Sequence, residues 1–374
     1  MSADAMTAAA PSPSAAPERL RSLDALRGFD MFWIAGGGAL LTAWADSNDW
    51  GWLDWAKGQT EHVEWHGFTF WDLIFPLFLF IAGAALPLSF AKRRAEGAND
   101  SELARHTLRR GLALVGLGLV YNGALKFDFE NLRYCSVLGR IGLAWMFAAF
   151  VVLRTSWRGQ VAWIAALLLG YWALLSWIPA PGFTAGDLSP GATLTDWIDR
   201  TVLPGKLYRG VRDPEGLFAT VPAIATALFG ALSGAWIASA RPQTNKAAAL
   251  ALAGAALIAL GAAWGALFPL NKNLWTSSFS VWCAGWSALL LALSYLVIDV
   301  AGWRKPALFF EVIGANAILI YVLQSFVNFE ALAKLLLEQR GALKLHPALL
   351  ASGGLALKWL LLYALYRKRW FLRV

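Results

Sequence analysis

The feature that most constrains this chain is the recurrence of apolar runs from residue 25 almost to the last residue. Each is about 17 to 25 residues long, the length a helix needs to cross a hydrocarbon core roughly 30 Å thick. About ten can be marked, at 25–45, 68–90, 108–125, 136–154, 160–178, 216–239, 246–270, 276–300, 307–329 and 348–366. Inside a bilayer every backbone N–H and C=O must be paired within the structure, and for segments of this length helices do so. The expected fold class is an all-α polytopic membrane protein of about ten spans. Gly36-Gly37-Gly38 and Pro76 fall inside runs, which neighbouring helices tolerate by re-pairing the freed backbone groups.

Composition agrees. The chain is 58% hydrophobic and 15% charged, with mean hydropathy +0.52, whereas soluble domains are about half apolar and roughly a quarter charged. Its 21 Trp suit a protein that anchors at two membrane interfaces. The net charge of +8 does not read as a nucleic-acid footprint, because Lys and Arg come in short clusters between apolar runs instead of along one stripe. Two cysteines, Cys135 and Cys283, give neither a disulfide framework nor a four-ligand zinc site. Residues 1–18 are rich in Ala, Ser, Pro and Thr and read as a disordered cytoplasmic tail. Residues 19–374 read as one transmembrane domain, with a polar, Pro- and Gly-containing segment around 179–215 lying over one membrane face as a cap.

Charge sets the orientation. Lys92, Arg93, Arg94, Arg105, Arg109, Arg110, Arg154, Arg158, Arg241, Lys246, Arg304, Lys305, Arg367 and Lys368 fall in alternate loops with Arg19 and Arg21. The first loop on the other side carries Asp46, Asp49, Asp54, Glu61 and Glu64 against Lys57. The positive-inside rule then puts both termini in the cytoplasm.

Two groups of ionisable residues carry chemistry. In HVEWHGFTFWDLIFP, His62, His66 and Asp72 come together at a membrane boundary, where an ionisable group needs a partner or a polar cavity. One reading is two interfacial histidines with Asp72 capping a helix; the other is a functional site. Spacing of four would also suit two metal ligands on a helix, but Gly67 argues for a loop, and no metal is expected. The second group, RLRSLDALRGFD, runs Arg19, Arg21, Asp24, Arg27 and Asp30 into the first span, with Arg140 as a candidate partner for Asp30. It suggests a cationic cavity open to the cytoplasm and suited to a phosphorylated ligand. The Asp213-Pro-Glu215-Gly sequence reads as a helix start with Pro in the first turn. Phosphate-binding P-loop, dinucleotide, nucleophile-elbow and zincin motifs are absent from the sequence.

The segments RLRSLDALRG, HVEWHGFTFWDLIFPLFLFIAG, YCSVLGRIGLAW, DPEGLFATVPAI, FPLNKNLWTSSF and GANAILIYVLQ, in this order, resemble the transmembrane acyltransferases related to heparan-α-glucosaminide N-acetyltransferase. The resemblance implies an acetyl group passed from cytosolic acetyl-CoA, as co-substrate, to an amino sugar or related glycan on the other side. It puts the active-site histidine at His62, and Ile34 where the family has an Asn. The 39–61 stretch is longer and richer in Trp than the family's. His62 is then the general base, with Asp72 in support, since imidazole is the side chain suited to accept a proton near pH 7. Arg19, Arg21, Asp24, Arg27 and Arg140 are the expected coenzyme A contacts. Trp65, Glu215, Asn271, Lys272 and Asn273 are the expected acceptor and oxyanion contacts. Implied partners are the coenzyme A donor, a carbohydrate acceptor, the bilayer and a second copy in a homodimer, with no nucleic acid. The rival class is a transporter of a small anionic or sugar-like solute, which would call for an internal repeat with matching broken spans; the two halves share neither the H-x-x-W nor the N-K-N-L-W block.

Overall fold

The computed structural model describes residues 20–338 and 346–372, so the tail and Arg19 lie outside the described residues. Fifteen α-helices follow one another: α1 (Arg21–Phe32), α2 (Gly38–Ala45), α3 (Gly51–Gly58), α4 (Phe70–Ala95), α5 (Asp100–Tyr121), α6 (Val137–Arg154), α7 (Trp157–Trp177), α8 (Leu194–Val202), α9 (Thr220–Ala238), α10 (Gln243–Gly265), α11 (Ser277–Ser294), α12 (Arg304–Ala315), α13 (Ala317–Leu323), α14 (Phe329–Glu338) and α15 (Pro347–Arg367). Apart from an isolated bridge between Arg133 and Gly205, no strand occurs among the described residues. The protein is an all-α, multi-pass integral membrane protein.

Among the described residues seven helices are long and apolar enough to cross a membrane by themselves, and the pair α12–α13, bent by 58°, passes the same test when its two helices are taken together. The remaining two apolar runs have identifiable departures from that standard. The first is split between α1 and α2 by a π-helical turn at Trp33–Gly37, where Gly36 takes φ 140°, a conformation open to Gly because it lacks a Cβ. The other, α5, carries Glu102, Arg105, Arg109 and Arg110 in its first three turns, which lowers its hydropathy.

The centre of the bundle is α4, packed on α9 through small residues. A Cβ on Gly230 would stand 2.0 Å from the Phe80 carbonyl oxygen, and one on Gly234 2.0 Å from that of Ala84. Their Gly-x-x-x-Gly spacing thus lets two backbones touch where lipid offers no hydrophobic force between helices. By contrast α7, α10 and α15 are mostly exposed and face outward.

Chain connectivity sorts charge between the two ends. One end gathers Arg27, Arg93, Arg110, Arg154, Arg241 and Arg304 near the joints α4–α5, α6–α7 and α9–α10 and the starts of α1 and α12. The other end carries the 59–69 loop, the 122–136 loop, the 178–219 segment that contains α8 and the expected cap, and the 266–276 loop.

Candidate functional site

The 59–69 and 266–276 loops are tied together by backbone, Gly67 N–H donating to the Leu270 carbonyl at 2.9 Å. That bond sets His62 beside Lys272. His62 lies in non-helical chain, as Gly67 suggested. Its Nδ1 is 2.7 Å from Asp72 Oδ1, and Lys272 Nζ is 2.9 Å from its Nε2. A carboxylate only accepts and an ammonium only donates, so these partners select the tautomer with the proton on Nδ1 and the lone pair on Nε2. Asp72 has no exposed surface and uses its second oxygen elsewhere, accepting from Thr69 N–H at 3.1 Å. That is the capping arrangement of a Thr three residues before an acidic residue at a helix start. Asp72 thus caps α4 with one oxygen and holds His62 with the other.

The Asn271-Lys272-Asn273-Leu274-Trp275 block folds as a tight turn. Asn271 Oδ1 accepts from Leu274 N–H at 2.9 Å, its Nδ2 reaches His66 Nδ1 at 3.3 Å, and Trp275 takes φ 50° while fully buried. Asn271 thus organises the turn and holds His66. Lys272 is the cation that reaches the centre, and burial lowers its pKa despite the nearby Asp72 carboxylate. Burial also lowers the pKa of His66.

Two chambers meet at His62. The outer one, about 560 Å³, is mixed in character and includes Glu64, Asn122, Arg133, Tyr208, Arg212 and Asn273. The inner one, about 310 Å³, is mainly apolar, with Met31, Ile34, Trp71, Phe75, Phe78 and Ile318. Both share His62, Tyr121, Glu215, Lys272 and Tyr321. Tyr121 and Tyr321 stack at 5.1 Å between centroids, a pair that no sequence motif pointed to.

The expected acceptor-side residues divide. Glu215 lines both chambers and is held by Arg133. Trp65 is committed to the cap: its Nε1–H donates to the Leu188 carbonyl at 2.8 Å and Arg212 lies 4.4 Å over its ring. Asp213-Pro-Glu215-Gly is a turn and not a helix start, because Asp213 turns back to accept from Tyr208 N–H and Glu215 N–H; α9 begins at Thr220.

The expected coenzyme A contacts also divide. Arg140 lies in the first turn of α6 at the His62 end, where it donates to the Gly216 carbonyl at 3.1 Å and lies 5.1 Å from the Trp275 ring. It is thus separated from the basic end by the length of α6 and does not partner Asp30, whose two buried oxygens have no hydrogen-bond partner among the described residues. Arg21 is held by Glu311 at 2.8 Å and Arg27 by Asp24 at 3.2 Å. Arg27 and Arg93 lie within electrostatic range of Arg110, whose buried Nε has no partner among the described residues. Among the described residues no group of three or more His, Cys, Asp or Glu side chains could hold a metal ion.

The cap supplies a titrating group. Asp199 accepts from Leu217 N–H at 2.9 Å, and burial pushes its carboxyl up to about 7, against the opposing effects of that bond and of Arg140. A carboxyl raised on folding favours the folded state most below the unfolded value and loses that contribution as pH climbs through the folded one. Thermal stability of the natural protein should therefore fall between about pH 4 and pH 7 relative to an Asp199→Asn variant. Parallel melting-temperature profiles for the two would contradict the raised carboxyl.

Fold and site together define a multi-pass membrane protein with a His–Asp–Lys cluster where a polar and an apolar chamber join. Residues 19–115 match the family model described as a domain of unknown function, DUF5009. Over nearly its whole length the chain is similar to heparan-alpha-glucosaminide N-acetyltransferase of Homo sapiens, 27% identical over 426 aligned residues covering 96% of this chain and 61% of the relative. The Mus musculus protein of the same name is 27% identical over 376 residues, covering 84% of this chain and 56% of the relative. The chain thus spans about three fifths of the length of the relatives it matches. The resemblance to heparan-α-glucosaminide N-acetyltransferase that the motifs imply is borne out as a similarity over most of the chain.

Proposed function

We propose that the protein transfers an acetyl group from acetyl-CoA, bound from the basic end, to an amino sugar or related glycan in the outer chamber, with His62 as general base. The observation that carries the reading is His62 held between Asp72 and Lys272 at the junction of the two chambers. The relatives' printed activity supports the reaction class. The inner chamber suits the apolar acetyl group and the end of the pantetheine arm, and the outer one a hydroxyl-rich ring.

In the reaction, the acceptor's amine or hydroxyl takes the place of Lys272 at His62 Nε2, which accepts its proton as the nucleophile attacks the thioester carbonyl. The carbon–sulfur bond breaks, and the thiolate takes the proton back from His62 Nε2 and leaves as coenzyme A. Displaced from Nε2, the Lys272 ammonium is the cation available to the developing oxyanion. Asp72 keeps the imidazole oriented and stabilises its protonated form. Direct transfer requires one stabilised oxyanion, whereas an acetyl-imidazole route would require two.

At the other end, Arg27 and Arg110 are the proposed phosphate contacts, Arg21 serving by its ion pair with Glu311 to hold α1 against α12. Both termini are proposed to be cytoplasmic, on the basic side. Cysteine labelling at Asp49 and at Glu96 should then report opposite sides, and labelling of both from one side would remove the transmembrane route. Coenzyme A binding should weaken roughly tenfold in Arg110→Ala and fall with added salt, as charge-assisted phosphate contacts do. Calorimetry showing salt-independent binding would remove the cationic mouth.

The transporter reading has one observation in its favour: broken spans α1–α2 and α12–α13 supply Met31, Ile34, Ile318 and Tyr321 to the inner chamber, and solute sites use such breaks. Labelled acetyl-CoA offered with a panel of amino sugars separates the two. Acetylated product supports transfer; solute uptake by proteoliposomes without product supports transport.

A further inference from the structure

A separate cavity, about 370 Å³, lies at the basic end and shares no residue with either chamber at His62. Its walls are one face of α1 (Ala25, Leu26, Phe29), the end of α11 with Leu293 and Ser294, and the start of α12 around Ala307. Two features of the chain open it. The helix of α11 passes into a π-helical stretch at Tyr295–Val300, which widens the turn carrying Val297 and Ile298. Meanwhile α1 and α12 meet backbone to backbone deeper in the bundle, where a Cβ on Gly28 would stand 1.7 Å from the Phe310 carbonyl oxygen. The two helices thus close the floor while the α11 side stays open.

The lining is almost wholly apolar, and the cavity has the volume of a small-molecule cleft. At its mouth stands Trp303, 66% exposed, at the end of the bundle where aromatic residues sit at headgroup level. The next two residues, Arg304 and Lys305, are exposed and belong to no ion pair found among the described residues. The acids nearby are occupied: Asp299 accepts from Ser22 N–H at 3.3 Å, Asp24 pairs with Arg27, and Glu311 with Arg21. An apolar slot in the bilayer, an interfacial Trp and two uncompensated cations at its lip match one kind of molecule, an acyl chain joined to an anionic headgroup.

We infer that this groove is a binding site for an anionic phospholipid of the leaflet on the basic side, with one acyl chain between α1, α11 and α12 and the phosphate at Arg304 and Lys305. The assignment is independent of the acetyl-transfer reading. It also gives the α1 break a lipid-braced wall, since Phe29, in the groove, packs on Trp33 of the π-helical turn at 6.1 Å.

The test uses the full chain reconstituted with equal phosphatidylglycerol and phosphatidylcholine, then released and weighed by native mass spectrometry. The natural protein should retain phosphatidylglycerol over phosphatidylcholine by roughly tenfold, as two juxtamembrane cations allow. Ser294→Phe, which fills the groove, should lose the retained lipid of both kinds. The surface pair Arg304→Ala and Lys305→Ala should keep lipid but lose the preference. Retention unchanged in both variants overturns the site. So does a groove that closes on a second copy, seen as a dimer whose cross-link from Leu293 disappears in Ser294→Phe.

Discussion

His62→Ala should leave the fold and coenzyme A affinity nearly intact while turnover falls by at least about a hundredfold, the low end for loss of a general base. The expectation rests on what the side chain does and does not support. Half of it, 49%, is exposed, so truncation leaves no buried cavity of consequence. Its removal frees Asp72 Oδ1, but Lys272 Nζ already lies 3.9 Å from that oxygen and can move in to satisfy it. The folded state therefore loses little, whereas the reaction loses the imidazole lone pair at the junction of the chambers. His66→Ala should be milder, because His66 answers to Asn271 and not to the Asp72–Lys272 pair. Steady-state acetyl transfer, with coenzyme A binding measured on the same preparations, separates chemistry from folding. Near-normal transfer by a folded His62→Ala protein would sink the assignment.

The residues alone group His62, His66 and Asp72, the resemblance puts the active-site histidine at His62, and the more distant Lys272 is only one of several expected contacts, a difference that follows from where the information lies. The histidine, Asp72 and the helix start between them occupy eleven residues of continuous chain, and the Thr69-to-Asp72 spacing announces the cap. Lys272 is 210 residues away and reaches His62 because Gly67 N–H bonds the Leu270 carbonyl, a contact without local signature. The spans were legible by length, yet α1 and α5 fall short of the apolar standard for a different reason each: a π-helical turn in one and a run of arginines in the other. Arg140 was legible as a membrane-buried cation and misread in its end. Its neighbour is a backbone carbonyl in the cap, and carbonyls leave no mark in the sequence. Trp65, an expected acceptor contact, is tied to Leu188 by a hydrogen bond and lies under Arg212, neighbours that are 123 and 147 residues away and leave no local mark. Tyr121 and Tyr321 lie 200 residues apart and meet through the packing of whole helices.

The largest loss of stability is expected at Arg133. Its guanidinium forks onto Asp213, at 2.7 and 2.5 Å, and also meets Glu215. Burial opposes the charge on Arg133, and the two carboxylates more than offset it, holding the pKa above the ordinary value. The Asp213 side chain is fully buried, so Arg133→Ala would leave a buried carboxylate with only the Tyr208 and Glu215 backbone N–H groups for support, next to a second carboxylate of the same sign. Breaking a buried pair from one side costs about 3–5 kcal/mol, which would lower the midpoint of thermal unfolding by on the order of 10 °C. Acetyl transfer should fall as well, since Glu215 lines both chambers. Arg133→Lys keeps the charge without the fork and should lie between the two. Adding Asp213→Asn and Glu215→Gln to Arg133→Ala removes the stranded charges and should recover most of the loss, because coupled sites are not additive. An unshifted melting midpoint in Arg133→Ala, or a triple variant no more stable than the single one, would show that the cap is held by something other than this charge cluster.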